Sequence, residues 1–197
     1  MAVSVHSTDA ELTKNEIRRE VLARRDGIAG DKRIEKSLAA ADHALALPVF
    51  AGMTPGTIVS GFLPIRSEID ARPLMDALRA QGARLCVPAV LDRETIEFRE
   101  LLRTAELRDA GFGTVAPGPD AAVLDPQVLI VPLAAFDRRG NRLGYGAGHY
   151  DRAIARLGDP VLVGLAFAEQ EVASVPAEPH DRALHAVATD AQAFEVE

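Results

Sequence analysis

The chain has 197 residues, 48% of them hydrophobic, which is enough for one domain whose core buries roughly 70% of the unfolded surface. Its net charge of −7 argues against a general nucleic-acid-binding protein, because neutralising phosphates requires clustered Lys and Arg in excess. The single cysteine, Cys86, excludes an intrachain disulfide, and its apolar neighbours predict a buried side chain.

The first residues predict neither a secretory signal nor a membrane anchor. They lack a basic stretch followed by an apolar run, and no apolar run in the chain approaches the roughly 20 residues of a membrane helix. We therefore expect a cytoplasmic protein with no membrane partner. Residues 1–9 should form a flexible tail, residues 10–197 one domain, and Thr8 or Asp9 should cap the first helix.

Helical and strand patterns alternate along the chain. Amphipathic spacing and breaker residues predict helices at 11–26, 31–47, 73–80 and 149–157. Short apolar runs predict strands at 57–63, 84–90, 95–99, 128–134 and 161–167. This order predicts an α/β fold, with an open, mostly parallel sheet covered by helices on both faces in a Rossmann-like three-layer arrangement. The segment around Pro117 reads as a connecting loop.

A glycine-rich loop follows the fourth predicted strand and precedes the last predicted helix. Gly144, Gly146 and Gly148 alternate with other residues, so the backbone can approach an anion with bare N–H groups. The positive end of the helix would face the same anion. Upstream, residues 137–140 have the pattern of a tight turn, with aspartate first and glycine fourth. The loop therefore predicts a phosphate site, although plain tight connections also use such glycines.

Two familiar nucleotide motifs are excluded by spacing. The dinucleotide fingerprint needs a glycine three positions after its second glycine, where this chain has His149. A P-loop would require glycine, four residues and then Gly-Lys-Ser or Gly-Lys-Thr, which occurs nowhere in the sequence. A triphosphate, if bound, would have to be held in another way.

Four ordered segments together resemble the 5-formyltetrahydrofolate cyclo-ligase family, also called 5,10-methenyltetrahydrofolate synthetases. The strongest is RLGYGAGHYDR, preceded by LIVPLAAFDRRG. The opening helix from Lys14 to Arg25, the segment GFLPIRSEID at 61–70 and the segment VPAEPHDRALHAVAT at 175–189 are similar to further family segments. The resemblance spans nearly the whole chain.

The resemblance implies an ATP-dependent ligase. In this family ATP transfers its terminal phosphoryl group to the formyl oxygen of 5-formyltetrahydrofolate, a neighbouring nitrogen attacks the activated carbon, and phosphate leaves to give 5,10-methenyltetrahydrofolate. Because the substrate oxygen is the nucleophile, no catalytic side-chain nucleophile is expected. Catalysis should rest on positioning and charge neutralisation.

The resemblance assigns the ATP contacts to two parts of the chain. In the opening helix, Lys14 and Arg18 lie one turn apart and can project from one face toward phosphates. By composition alone the same pair could be a solvated basic face. Arg142 should contact phosphate as a forked donor and stabilise charge. The other implied ATP contacts are Gly144, Gly146, Gly148 and Tyr150.

Two aspartates are implied as ligands of Mg²⁺, which is usually held by one or two carboxylates together with phosphate oxygens and water. Asp151 follows the glycine loop and could equally stabilise the first turn of the helix. Asp181 is the second carboxylate, and a solvated loop acid is its alternative reading. His180 and His185 are not expected to bind Mg²⁺, because this ion prefers oxygen.

For the folate, the resemblance makes Glu68 the residue whose two oxygens accept N–H bonds from the pterin. Leu63 should line the apolar wall, and Tyr145 and His149 should border the substrate. The chain departs from the family pattern at two positions, with His149 where tyrosine is usual and Ala147 where glycine or lysine is common. Neither change removes a group that the reaction requires.

Two other classes of protein are alternatives to the cyclo-ligase. A non-catalytic folate-binding protein would be indicated if Lys14, Arg18, Arg142 or Asp151 had been replaced, but all four are present. A sugar-phosphate isomerase or acyl-carrier transferase could also use a glycine loop, yet it would leave Lys14, Glu68 and Asp181 unexplained. We expect a monomer whose partners are ATP and 5-formyltetrahydrofolate, with or without a polyglutamate tail.

Overall fold

The computed structural model describes residues 13–111, 113–146, 148–178 and 181–196. Its helices are α1 (Lys14–Asp26), α2 (Gly30–Leu45), α3 (Pro48–Ala51), α4 (Arg72–Ala80) and α5 (His149–Leu157), with a 3₁₀ turn at Ala168–Gln170. Its strands are β1 (Ile58–Ser60), β2 (Arg84–Val90), β3 (Ile96–Glu100), β4 (Leu107–Asp109), β5 (Val115–Pro117), β6 (Val128–Pro132), β7 (Ala135–Phe136), β8 (Arg142–Leu143), β9 (Val161–Leu165), β10 (Ala186–Ala188) and β11 (Ala193–Glu195).

Within these residues the main sheet has seven strands in the order β11-β10-β9-β6-β1-β2-β3. The five central strands are parallel, whereas β3 and β11 are antiparallel to their neighbours at the two edges. β4 with β5 and β7 with β8 form two separate two-stranded ribbons. The predicted mostly parallel α/β sheet is confirmed.

Helices cover both faces of the sheet because successive strand residues point to opposite sides. On one face, Ile130 and Val163 belong to a core cluster that includes residues of α2, α3 and α4. On the other, Leu129 and Leu162 pack with Ala153 and Ile154 of α5. The buried Cys86 lies in this second cluster, as its neighbours predicted, and burial raises the pKa of its thiol to about 12.

The ends of several elements differ from their predicted positions. The first helix begins at Lys14 rather than at residue 11, because Thr13 is its N-cap and forms a reciprocal capping box with Glu16. The predicted caps Thr8 and Asp9 and the tail 1–9 lie outside the described residues. β1 ends at Ser60, β6 at Pro132 and β9 at Leu165, each earlier than its apolar run suggested.

Among the described residues, six short strands were not predicted, namely β4, β5, β7, β8, β10 and β11. Each has only two or three residues, too few to show a period of two in the sequence. The segment around Pro117, expected to be only a connecting loop, supplies β5. No helix of the described residues is long and apolar enough to cross a membrane.

The strand order places two of the predicted segments side by side. β1 and β6 are adjacent and parallel, pairing Val59 with Val128 and Ser60 with Leu129. The segment at 61–70 leaves the carboxyl end of β1, and the chain that reaches the glycine loop leaves the carboxyl end of β6. The chain runs from β1 to β2 on one side of this pair and from β6 to β9 on the other. The carboxyl edge between β1 and β6 is therefore a topological switch point, where α/β sheets bind ligands.

Candidate active site

α1 presents its functional side chains along one face. Lys14, Arg18 and Arg25 are separated by four and seven residues, which is one and two helical turns. Ile17 and Val21 lie between them and are buried in a small apolar cluster with Ala135. This packing holds α1 against the ribbon that precedes the glycine loop.

Lys14 lies next to the C-terminal segment of the predicted metal site. Its Nζ is 2.8 Å from Glu178 Oε1 and 3.1 Å from Asp181 Oδ2. The hydrogen bond with Glu178, followed by that with Asp181, raises the pKa of Lys14 above its ordinary value. The structure thus brings a predicted phosphate ligand and a predicted metal ligand into contact, although 167 residues separate them in the sequence.

Arg18 reaches the first glycine of the loop. Its Nε donates to the Gly144 backbone oxygen at 2.9 Å, and its Nη1 donates to Asn15 Oδ1 at 2.6 Å. The guanidinium therefore fixes the place where the loop leaves β8. Arg18 is part of the site and not a residue of a detached basic surface.

The later glycines are required by backbone conformation. Gly146 has φ 98° and Gly148 has φ 67°, in the left-handed region that favours glycine. Gly148 is the N-cap of α5 and makes no side-chain cap. Ala147, one of the two departures from the family pattern, lies outside the described residues.

Arg142 pairs with the other predicted metal ligand. Its Nη2 donates to Asp151 Oδ1, and its Nη1 donates to the Arg182 backbone oxygen. The Arg142 side chain is only 7% exposed, whereas that of Asp151 is 36% exposed. One buried guanidinium thus joins the start of α5 to the segment that carries Asp181.

The predicted carboxylates, Asp151 and Asp181, fit Mg²⁺ by their chemistry. In the described ranges no cluster of three or more His, Cys, Asp or Glu side chains could hold a metal ion. Mg²⁺ binds through one or two carboxylates when phosphate oxygens and water complete its shell. Asp151 and Asp181 therefore fit an ion that arrives with a nucleotide and would not form a closed protein site.

The folate segment folds into a tight turn around Glu68. Glu68 Oε2 accepts a hydrogen bond from the Ile65 N–H at 2.9 Å, and the Glu68 N–H donates to the Ile65 oxygen at 3.0 Å. Arg66 between them has φ 54°, a left-handed conformation that is strained for a side-chain-bearing residue. Leu63 is half-buried against the core cluster on the α2–α4 face.

Tyr145 connects the glycine loop to this segment. Its hydroxyl accepts a hydrogen bond from Arg25 Nη1 and interacts with the Glu68 carboxylate. The Arg25 guanidinium also lies 5.7 Å from the centre of the tyrosine ring. Burial raises the pKa of Glu68, while its hydrogen bonds and the charge of Arg25 oppose this shift. The predicted folate residues Glu68 and Tyr145 therefore meet.

Two of the first residues of α5 contact the loop between β2 and β3. His149 Nε2 lies 3.0 Å from the Arg93 oxygen in the loop between β2 and β3, and Arg152 Nε donates to the Glu94 oxygen at 2.7 Å. In the described part of the chain, the buried Tyr150 hydroxyl has no hydrogen-bond partner. Burial raises the pKa of Tyr150. Contacts of His149 with folate and of Tyr150 with ATP stay predictions.

A shallow cleft of about 550 Å³ opens beside Lys14. It is formed by the start of α1, the turn between β7 and β8, and the segment leading to Glu178. Its lining residues are Thr13, Lys14, Arg139, Asn141, Ser174, Val175, Pro176 and Ala177. Asp137, at the first position of this turn, is fully buried and accepts the Gly140 N–H at its backbone oxygen, which confirms the predicted turn.

With this geometry in place, comparison with known proteins decides the family. The model of the 5-formyltetrahydrofolate cyclo-ligase family matches residues 10–190. The chain belongs to the 5-formyltetrahydrofolate cyclo-ligase family. The family and the enzyme class predicted from the four sequence segments are confirmed.

Individual members of the family show similar lengths and the same fold. A 5-formyltetrahydrofolate cyclo-ligase from Mycolicibacterium smegmatis is 32% identical over 144 residues, covering 68% of this chain and 74% of that protein. The Haemophilus influenzae protein of the same name is 26% identical over 176 residues, covering 85% and 92%. The NMR structure of the Aquifex aeolicus 5,10-methenyltetrahydrofolate synthetase has a TM-score of 0.78 at 26% identity and covers 94% of each chain.

Three residues that contact the predicted site residues or one another were not predicted from the sequence. They are Arg25, Ser67 and Glu178. For Arg25 a signal was available, because it lies on the helix face already assigned to Lys14 and Arg18. For Ser67 and Glu178 none was, since each acts through a partner more than 40 residues away in the sequence.

Proposed function

We propose that this protein converts 5-formyltetrahydrofolate to 5,10-methenyltetrahydrofolate with consumption of ATP in the presence of Mg²⁺. The observation that carries the proposal is the position of Tyr145. It follows Gly144, which Arg18 holds, and its hydroxyl interacts with Glu68. The same hydroxyl accepts from Arg25, which also donates to Ser67 beside Glu68. The loop that would hold the triphosphate therefore adjoins the residue that would hold the pterin.

Two ion pairs support a mode of ATP binding in which the charged side chains exchange their partners. Lys14 and Arg142 are cations, and each is paired with a carboxylate assigned to the metal, Asp181 and Asp151. A triphosphate could take the cations while the carboxylates turned to Mg²⁺, so both sets of charges would remain compensated. Mg²⁺ held by Asp151 and Asp181 would neutralise phosphate charge as the terminal phosphoryl group leaves ADP.

The reaction requires little from the protein beyond positioning the two substrates. In the first step the formyl oxygen attacks the terminal phosphorus and the bond to the ADP oxygen breaks. In the second, the neighbouring nitrogen attacks the formyl carbon and the oxygen leaves as inorganic phosphate. Arg142 would stabilise charge on the transferred group, and Glu68 would hold the pterin so that the formyl oxygen faces the glycine loop.

The proposal also covers the location of the protein, its oligomeric state and the form of its folate substrate. We infer a cytoplasmic monomer that accepts the folate with or without a polyglutamate tail. Size-exclusion chromatography with light scattering tests the oligomeric state, and comparison of KM for monoglutamate and pentaglutamate substrates tests the tail.

The decisive experiment is an absorbance assay for the methenyl product with 5-formyltetrahydrofolate, ATP and Mg²⁺. Product that forms only when ATP is present is the expected result. Folate binding without turnover would contradict the proposal and favour a non-catalytic folate-binding protein. Loss of both binding and turnover would favour a sugar-phosphate enzyme.

A further inference from the structure

Arg25 lies at the point where three functional segments meet. It is 2% exposed, which is rare for an arginine unless its donors are used. Its Nε donates to Ser67 Oγ at 3.1 Å, next to Glu68, and its Nη1 donates to the Tyr145 hydroxyl. A single guanidinium thus holds α1, the folate segment and the glycine loop together.

The Tyr145 hydroxyl stands between a cation and a carboxylate. It accepts from Arg25 and can donate its only hydrogen to Glu68, so its partners fix its orientation. The ring also lies within cation–π distance of Arg25. The loop residue therefore has little freedom to rotate away from the folate segment.

The charge of Arg25 needs compensation because it is buried. Its ion pair in the described chain, with Asp26 Oδ1, is at the 4.0 Å limit, and the Asp26 side chain is 63% exposed. A pair at this distance whose carboxylate is mostly exposed contributes little. Glu68, linked through Tyr145, is the other carboxylate that interacts with the Arg25 charge. Arg25, Tyr145 and Glu68 thus form a line of cation, hydroxyl and carboxylate.

We propose that Arg25 is a positioning residue that aligns the glycine-rich loop with the folate segment and, through Tyr145, orients the Glu68 carboxylate toward the pterin. The inference rests on the proposed function and adds a residue to it. Arg18 holds Gly144 and Arg25 holds Tyr145, so two arginines of α1 fix two successive loop residues. Arg25 acts on the folate and does not contact the phosphates.

The first test compares three variants by steady-state kinetics with each substrate varied in turn. Arg25→Met should raise KM for the folate on the order of tenfold, the effect of losing a charge-assisted hydrogen bond, with KM for ATP unchanged. Arg25→Lys, which keeps the charge but not the fork, should recover part of this loss. Arg24→Met, at an exposed neighbouring position of α1, is the matched control and should behave as wild type.

A pH profile distinguishes a positioning role of Arg25 from a role in fold stability alone. The groups that influence the pKa of Glu68 are Tyr145, Arg25, Arg66 and the Ile65 N–H. The charge of Glu68 in turn influences the pKa of Tyr150. Because the Arg25 charge favours the carboxylate form, the acidic limb of kcat/KM for folate should move to higher pH in Arg25→Met. An unchanged limb in a folded variant would overturn the proposal.

Tyr145→Phe keeps the test valid if Arg25→Met does not fold, because Tyr145 is 38% exposed and its hydroxyl can be removed without a cavity. It should raise the folate KM in the same direction, and the double variant should be no worse than the larger single variant. Additive effects, or equal changes in KM for ATP and folate, would contradict the proposal. If wild type makes no methenyl product, the proposed function fails, and calorimetric folate binding by the same variants still tests Arg25.

Discussion

The two ends of α1 meet the site in different ways. At its N-terminal end Lys14 pairs with Glu178 and Asp181, whose side chains are 55% and 25% exposed. At its C-terminal end Arg25 is almost fully buried among hydroxyl groups. The phosphate end consists of ion pairs that water can screen and a charged ligand can replace, whereas the folate end consists of hydrogen bonds from a buried guanidinium to hydroxyl groups that are already in place.

This difference indicates how one helix can serve two substrates. A triphosphate brings its own charges and counterion, so its site can be held by exchangeable pairs. A pterin brings polar N–H groups that must be matched one by one, so its site benefits from a fixed acceptor. The variants below should therefore separate ATP effects at one end from folate effects at the other.

The largest effect is expected from Asp151→Asn, which keeps the size of the side chain and removes its charge. Loss of a carboxylate proposed to hold Mg²⁺ should lower kcat about a thousandfold and raise the Mg²⁺ concentration needed for half-maximal rate. A magnesium titration of product formation measures both. Asp159→Asn, an exposed acid just beyond α5, serves as the control, and an unaltered titration in Asp151→Asn would remove that residue from the metal site.

Lys14→Met should act next most strongly, and on ATP. Removing a cation that would contact phosphate should raise KM for ATP roughly ten- to a hundredfold and leave KM for the folate nearly unchanged. Initial rates at varied ATP measure it. Arg19→Met, exposed on the same helix, should have no effect, and a matching effect there would mean that the basic face acts only through general charge.

Glu68→Gln should give the opposite pattern at the folate end. One oxygen acceptor becomes an N–H₂ donor that faces the pterin N–H groups, so KM for the folate should rise about tenfold. ATP binding, followed by calorimetry, should be unaltered. A folate KM equal to that of wild type would exclude Glu68 from the pterin pocket.

The smallest effects are expected from pH, and they differ in sign between the two ends. Burial raises the pKa of Glu68 above its ordinary 4.5, so kcat/KM for folate should fall as the pH drops through that raised value. The hydrogen bond from Lys14 to Glu178 raises the pKa of Lys14 above 10.5, so its contribution should persist at low pH and be lost only as the pH rises through that value. Profiles of kcat/KM for each substrate check both. A folate profile that is flat on the acidic side would contradict the role of Glu68.

The comparison of the two ends also shows which site contacts could be predicted. The glycine loop, its aspartate and the pair Lys14 and Arg18 are local patterns, because their meaning depends on residues within a few positions. The contact between Lys14 and Asp181 spans 167 positions and follows from the placement of α1 against the sheet. The contacts of Arg25 could not be predicted for the same reason, since its partners Ser67 and Tyr145 come from different sheet connections.

By itself the sequence determined the alternation of helices and strands, the mostly parallel sheet, the family and most of the residues that the reaction would require. Local periodicity, glycine spacing and four ordered motifs carry this information, because each is written in neighbouring residues. Only the tertiary structure decided that Arg142 pairs with Asp151, that Lys14 pairs with Asp181 and that Arg25 joins Tyr145 to Ser67. These contacts depend on the adjacency of β1 and β6 and on the docking of α1, which are set by burial of the whole core.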